Sequence, residues 1–405
     1  MNTATIAASP PVPLRQDASV IGLVGLAHAC SHFSHLLLPL MFPVFMKEFG
    51  LSYAQAGLLM TVFFVVSGIG QAVGGFLVDR WGARPVLFAS MATFVLACLG
   101  AAAAPGYVAL VAVSALIGLA NSPFHPVDFT IMNQRVSTPR LGYAFSAHGL
   151  SGNLGWAAAP LFMASLTSLI HWRAAYLGAA LLYAVVLVLL VLHRDQLLTQ
   201  AVPARAQGGG GGDGGDLAFM KLPVVWWCFS FFLLSTMTFA MVQSFAVSLL
   251  KAMHGVSFEA ATMTLTAYSL SAAAGMLVGG VVAARTPDSD RVVAACLGAA
   301  AVLMALCGTG WLGGAGTMVV LAATGFAIGV GGPSRDMMIK RATPKGATGR
   351  VYGLVYSGLD VGFAVAPLLF GILMDRGLYG ATFYGAALFL VLSVLAALGV
   401  GRRSR

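Results

Sequence analysis

Charge is what this sequence has least of. Only 9% of its 405 residues are Asp, Glu, Lys or Arg, against roughly 25% in an ordinary soluble domain whose surface must face water. At this length, so little charge excludes a water-facing exterior, so most of the surface must face lipid. Cysteine is sparse too. Cys30, Cys98, Cys228, Cys296 and Cys307 are scattered through apolar runs without a CxxC pair. That excludes a disulfide scaffold or a thiolate metal framework and leaves the thiols as small packing residues. No metal-hydrolase spacing or nucleophile constellation occurs, and Ser31-His32 are neighbours on one helix rather than parts of a triad. No enzyme is therefore expected, and no cofactor. Residues 1–17 are polar and contain prolines, and the apolar run after them is long enough to span, so no cleavable signal peptide is expected either.

What is present is apolar: 59% of the residues are hydrophobic, with a mean hydropathy of +0.89. A spanning helix needs about 20 mostly apolar residues, and inside hydrocarbon every backbone group must be paired within the segment, which makes each span helical. The runs predict an all-α membrane protein of twelve transmembrane helices. The first six fall at 19–44, 53–78, 85–104, 108–133, 142–168 and 173–192; the second six fall at 223–249, 258–284, 291–312, 316–338, 350–374 and 379–400. The only long polar stretch, 193–222, carries Gly208 to Gly212 and then Asp213-Gly214-Gly215, the composition of a flexible linker. The expected organisation is a tail (1–18), a six-helix bundle (19–192), the linker, a second six-helix bundle (223–400) and a short tail (401–405).

A net charge of +9 invites a nucleic-acid reading, but in a membrane protein a basic excess marks the cytoplasmic loops. With the N-terminus inside, one side collects Arg15, Arg80, Arg84, Arg135, Arg140, Arg194, Arg205, Lys221, Arg285 and Arg291. The same side takes Lys340, Arg341, Lys345, Arg350, Arg402, Arg403 and Arg405, whereas the other keeps Lys47, Arg173, Lys251 and Arg376. Both termini are expected in the cytoplasm of a multi-pass inner-membrane protein, with lipid and a small molecule as partners, no nucleic acid, and a monomeric state.

The halves repeat. Asn153 to Pro160 (NLGWAAAP) aligns with Asp360 to Pro367 (DVGFAVAP), and similar offsets match Gly74-Gly75 to Gly279-Gly280, Pro123 to Pro333 and His125 to Arg335. Parallel six-helix repeats with a site between them near the midplane are the plan of a rocking secondary transporter. The loop after the second span reads Gly75-Phe-Leu-Val-Asp79-Arg80-Trp-Gly82-Ala-Arg84. Gly75 and Gly82 suit close helix approach and a tight turn, and Asp79, Arg80 and Arg84 suit a charge network at the cytoplasmic gate. This loop resembles the G-x-L-x-D-R-x-G-R/K-R/K signature of the major facilitator superfamily. The equivalent loop of the second half, Gly280-Val-Val-Ala-Ala-Arg285, has no acid at the matching place. The blocks SHFSHLLLPLMFPVF from Ser31, GLANSPFHP from Gly118 and SGNLGWAAAPL from Ser151 further resemble the fosmidomycin-resistance-like branch, which implies efflux or small-anion transport. Antiporters of the superfamily end a Gly-rich pattern on the fifth helix with Gly-Pro; here it ends Ala159-Pro160, which counts against antiport.

Ionisable groups at mid-bilayer cost at least a few kcal/mol and default to functional candidates. His28, His32 and His35 on the first helix recur at i, i+4, i+7 and share one face. The resemblance implies that helices one, four, seven and ten line the cavity, which makes these three, with Asn121 and His125 on helix four and Gln243 on helix seven, candidate substrate residues. His148 and Asn153 on helix five and Tyr356 on helix eleven join them. Arg335 on helix ten suits an anionic group, and Asp128, Asp336 and Asp360 are candidates for proton coupling, because burial favours the neutral carboxyl form and histidine titrates near neutrality. The structural alternatives are Arg335–Asp336 and Asp128–His125 pairs and a Tyr356–Asp360 hydrogen bond. No metal is expected. The alternative is copper, for which His32, Met237 and Met241 supply His and Met donors; the Met-x-x-x-Met pair resembles copper importers of the superfamily, although helix eight lacks their histidine. The expected function is alternating-access transport of a small anionic or zwitterionic organic solute, coupled to protons. Drug efflux and copper import are the rival cargoes, and a non-transporting receptor is a rival of another class.

Overall fold

The computed structural model describes residues 13–200, 221–286, 288–342 and 348–404. Residues 1–12, the glycine run with Arg205, and Lys345 and Arg405 lie outside them. The first span is two helices, α1 (Leu14–Ser34) and α2 (Phe42–Phe49), joined by a turn that includes a short 3-10 segment, Pro39–Met41. This corrects the continuous helix expected at 19–44. Pro39 and Pro43 lack a backbone N–H and each stands within the first two positions of a new helical segment, where that loss is harmless. The second and third spans are α3 (Tyr53–Trp81) and α4 (Ala83–Ala102). The fourth is again broken, into α5 (Tyr107–Asn121) and α6 (Phe124–Arg135), at Ser122-Pro123. Then come α7 (Leu141–Leu169) and α8 (Trp172–Leu192), followed by α9 (Pro223–His254), α10 (Phe258–Arg285), α11 (Ser289–Gly308), α12 (Gly313–Ala342), α13 (Thr348–Asp375) and α14 (Tyr379–Ser404).

Eleven helical segments among the described residues are long and apolar enough to cross a membrane. The twelfth, α7, has 29 residues, ample length, but Ser146, His148, Ser151 and Asn153 dilute its apolar character.

Within the first half α1 packs on α7, α4 on α8, and α3 and α4 on α5; within the second, α10 packs on α12, α11 on α14, and α9 on α13 and α14. Two seams join the halves, α3 along α13 and α7 along α10. These are the second span on the eleventh and the fifth on the eighth, so exchanging the halves turns one seam into the other, as the internal repeat requires.

One end of the molecule, here the terminal face, gathers the start of α1, the 137–140 turn and residues 194–200. Asp17 is fully buried there. It accepts hydrogen bonds from the backbone N–H of Ser137 (3.2 Å), the Ser137 hydroxyl and the Arg140 guanidinium (2.7 Å). Arg84 and Arg135 donate to the carbonyls of Arg194 (3.3 Å) and Gln196 (3.0 Å), Thr199 accepts from the Ala83 N–H (2.7 Å), and Leu197 is buried. The segment expected to be linker from 193 onward thus begins as packed structure, because these donors and one apolar side chain give it partners that its composition did not advertise.

At the opposite face the halves are in backbone contact. The Asp375 carboxylate at the end of α13 accepts from the N–H groups of Tyr53 (2.6 Å) and Ala54 (2.9 Å) in the first turn of α3. Thr61 donates to the Ala364 carbonyl (2.6 Å), Ser168 to Glu259 (2.6 Å) and Thr266 to the Ala157 carbonyl (3.0 Å). A carboxylate at a helix N-terminus meets both orphan N–H groups and the positive end of the macrodipole. Asp375→Ala is therefore expected to weaken closure on this face by about 1 kcal/mol, roughly five-fold in the closed-to-open ratio. A cysteine placed at Thr61 should then react with a maleimide correspondingly faster, and an unchanged rate would remove Asp375 from closure.

Candidate functional site

Five histidines of the first half stand in one ladder, with His28, His35 and His148 buried, His32 half-buried and His125 exposed. His28 and His32 lie on consecutive turns of α1 with ring centroids 4.4 Å apart, and His35 follows at the C-cap, 5.2 Å from His32. His148 of α7 stacks on His28 at 3.5 Å, and His125 of α6 stands 5.7 Å from it. Asp128, one turn beyond His125, is fully buried between them, with one carboxylate oxygen 3.0 Å from His28 Nδ1 and 3.0 Å from His148 Nε2. The break at Pro123 starts α6 afresh and sets the register that turns His125 and Asp128 toward α1 and α7. The expected Asp128–His125 pair is replaced by Asp128 with His28 and His148.

At the other end of the ladder Asn121 is the hub. Its side-chain oxygen accepts from Ser31 (2.6 Å) and meets His35 Nε2 (3.3 Å), while its amide donates to Ser67 (2.9 Å). Trp156 Nε1 donates to His35 Nδ1 (3.4 Å). With Nδ1 accepting, the neutral tautomer carries its proton on Nε2, directed at Asn121; the assignment follows from the network. His32 lies in the shallow space left by Gly152, where an added Cβ would come 2.6 Å from its ring.

The second half contributes a cavity of about 330 Å³ between α7 and helices α9 to α13. Its walls include Trp156, Phe232, Phe239, Tyr268 and Phe363, with Asn153 and Arg335 as polar members. It also takes in Phe231, Val293 and Leu297 from the N-terminal halves of α9 and α11, so it lies on the terminal-face side of the interbundle contacts. Arg335 Nε bonds Asp336 at 2.9 Å, and the guanidinium sits 5.6 Å over the Phe232 ring, against which Tyr356 packs at 4.7 Å. Asn153 donates to the Gly149 carbonyl (3.1 Å) and approaches Met276 Sδ (3.5 Å) across the α7–α10 seam. Asp360 packs beside Gly68 on the α3–α13 seam, where an added Cβ would stand 3.3 Å from the Asp360 Cβ.

Other expected residues lie elsewhere. Gln243, Met237 and Met241 are buried in α9 outside the cavity wall. The α9 side chain that reaches the histidine side is Phe239, edge-on to Trp156 at 5.0 Å. Gly82 joins α3 to α4 with φ of 82°, a conformation that favours glycine. An added Cβ at Gly75 would meet nothing within 4 Å; the close approach is made by Gly74, where a Cβ would stand 3.0 Å from Pro123. Arg84 is engaged within its own half, at 3.3 Å from the Arg194 carbonyl and 4.0 Å from the Asp195 carboxylate, while Arg80 is exposed and Asp79 half-buried. Nothing in the sequence marks the aromatic walls, since aromatics are ordinary in apolar helices and only packing shows which face a cavity.

The sequence profile of the Major Facilitator Superfamily matches residues 24–322 and 232–405. The fosmidomycin resistance protein of Escherichia coli K12 is 27% identical over 158 residues, 39% of this chain and 39% of that one. Four curated relatives, this one among them, are matched over only 26% to 39% of their own length. A hexuronate transporter of Bacillus subtilis is 24% identical over 396 residues, 93% of each chain. The crystal structure of a bacterial homolog of the human lysosomal transporter Spinster, in an inward-facing and occupied conformation, shares the fold with a TM-score of 0.72 at 16% identity, covering 98% of this chain and 97% of that one. Helix order, the two interbundle seams and a profile match running through both halves agree: the chain belongs to the Major Facilitator Superfamily and is a multi-pass membrane protein.

Proposed function

We propose that this transporter carries a small organic solute with an anionic group and an apolar body, by alternating access between its two six-helix halves. The observation that carries this reading is the cavity: aromatic walls, with Arg335 as the one charged side chain among the described residues lining it. Arg335 is held by Asp336 but remains more than a third exposed, at 37% of its side chain, and its planar fork suits a carboxylate or phosphonate. Asn153, on the facing helix, supplies a second polar contact. The hexuronate relative, named for an anion, agrees with this choice. We read that face and both chain ends as cytoplasmic, in an inner membrane, because the Lys and Arg of the sequence fall mostly in the loops on that side.

For proton coupling the favoured group is Asp360. It lies on the α3–α13 seam, which must part as the halves rock, and among the described residues it makes no hydrogen bond or ion pair. Asp336 is already engaged by Arg335, and Asp128 by two imidazoles.

The test is a thermal-shift screen of the purified chain against organic anions, neutral drugs and organic cations, with hits followed into proteoliposomes. Stabilising hits should be anions with apolar bodies, and Arg335→Ala should weaken them at least about tenfold, the equivalent of one charge-assisted hydrogen bond. Hits confined to neutral or cationic drugs, indifferent to Arg335→Ala, would favour drug efflux instead. For coupling, Asp360→Asn should keep binding but lose acceleration of uptake by a pH gradient; gradient dependence like that of the wild type would exclude Asp360.

A further inference from the structure

We propose that His28, His125, His148 and Asp128 form a binding site for one divalent transition-metal ion of the zinc class, within the first half and apart from the cavity.

Each of the three histidines offers one ring nitrogen, and these three atoms lie within 4.8 Å of one another. A tetrahedral zinc–nitrogen shell, with bonds of about 2.0–2.1 Å, needs donors about 3.3 Å apart. Binding therefore requires the stacked His28 and His148 rings to rotate out of their stack so that the donors close from within 4.8 Å to about 3.3 Å. The carboxylate of Asp128 adds a fourth donor already 3.0 Å from two of the rings.

Two buried polar atoms of the cluster have no hydrogen-bond partner. Asp128 Oδ1 is buried without a hydrogen-bond partner, and so is His28 Nδ1, which faces the carboxylate at 3.0 Å but off the line of a hydrogen bond. Buried polar atoms are seldom left unmatched, and one cation between the rings and the carboxylate satisfies both.

The donor set also selects the ion. Imidazole with carboxylate suits zinc, nickel or cobalt(II), whereas the thiolate and thioether donors that copper(I) prefers do not belong to the cluster. The scaffold is stiff where a site needs it: α1 and α7 cross so closely that a Cβ at Gly155 would strike the Ala29 carbonyl oxygen. Access is one-sided, since His28 and His148 are buried and His125 is exposed. None of the four residues lines the cavity, so the inference stands whichever solute is carried there.

The probe is cobalt(II), titrated into the tag-free full chain in detergent. The wild type should show the visible ligand-field bands of four-coordinate cobalt, saturating at one equivalent and erased by zinc. His148→Gln and His28→Gln should each weaken binding at least about a hundredfold, because even groups that only position a ligand are worth ten- to hundredfold. His171→Gln, on the opposite face, should change nothing. Absence of four-coordinate bands in the wild type overturns the proposal whatever the variants do. Bands that persist in both His28→Gln and His148→Gln overturn it too, because the ion then lies elsewhere.

Discussion

Replacing Gly57 with leucine is expected to stop transport while leaving both six-helix halves folded. Gly57 lies on α3 where it crosses α13, and a Cβ there would collide with the Pro367 carbonyl oxygen. Pro367 is rigid backbone inside α13, so the clash is relieved only by moving the helices apart. The same seam carries the Asp375 cap and the Thr61 bond to Ala364, which fail together if α13 withdraws. Overpacking a tight contact costs about 1–3 kcal/mol, and more against fixed backbone; moving a two-state equilibrium from 99:1 to 1:99 takes about 5.5 kcal/mol. Leucine at 57 combines the clash with loss of three hydrogen bonds, which reaches that range. The closure of the opposite face should therefore give way to an open state, with a cysteine at Ala364 passing from protected to rapidly labelled by a membrane-impermeant maleimide. Gly57→Ala should show the same change in smaller measure. Continued protection in Gly57→Leu would mean that the seam can repack, and that closure does not depend on this crossing.

The contrast between what the sequence disclosed and what it withheld has a physical basis. Twelve segments, their pairing by an internal repeat and the superfamily loop were legible because hydrocarbon imposes helices and repeats preserve spacing. Helix breaks were less so: Pro39, Pro123, Pro160, Pro333 and Pro367 look alike in sequence, yet the first two interrupt their helices and the others ride inside them. In the histidine stripe, helical spacing put His28, His32 and His35 on one face, and that much could be read. That His148 would stack on His28, with Asp128 rather than His125 as its partner, depends on the crossing of α1 and α7, which no periodicity encodes. Asp375 escaped notice because a carboxylate after an apolar run reads as an ordinary loop residue. Only the fold shows that it caps a helix more than 300 residues away.

Asp128→Ala is expected to be strongly destabilising, and the reason bears on what the histidine ladder is. Asp128 is fully buried and stands 3.0 Å from both His28 and His148, which are themselves buried. Removing one partner of a buried polar set costs about 3–5 kcal/mol where the remainder is charged, and about 1–3 kcal/mol where only a neutral donor is stranded. For a bundle of this size that corresponds to a fall in melting temperature of roughly 6–20 °C in the first case and roughly 2–12 °C in the second. Asp128→Asn keeps the volume and one accepting oxygen, so it should recover most of the loss if the rings are neutral and little of it if one is an imidazolium. Thermal unfolding in detergent without metal measures both variants. A double-mutant cycle with His148→Ala then assigns the cause: a coupling of about 1–3 kcal/mol identifies the Asp128–His148 contact as the element removed. Additive losses, or a melting temperature within about 2 °C of the wild type for Asp128→Ala, would show that α6 and α7 hold together through their apolar packing, with the carboxylate incidental to stability.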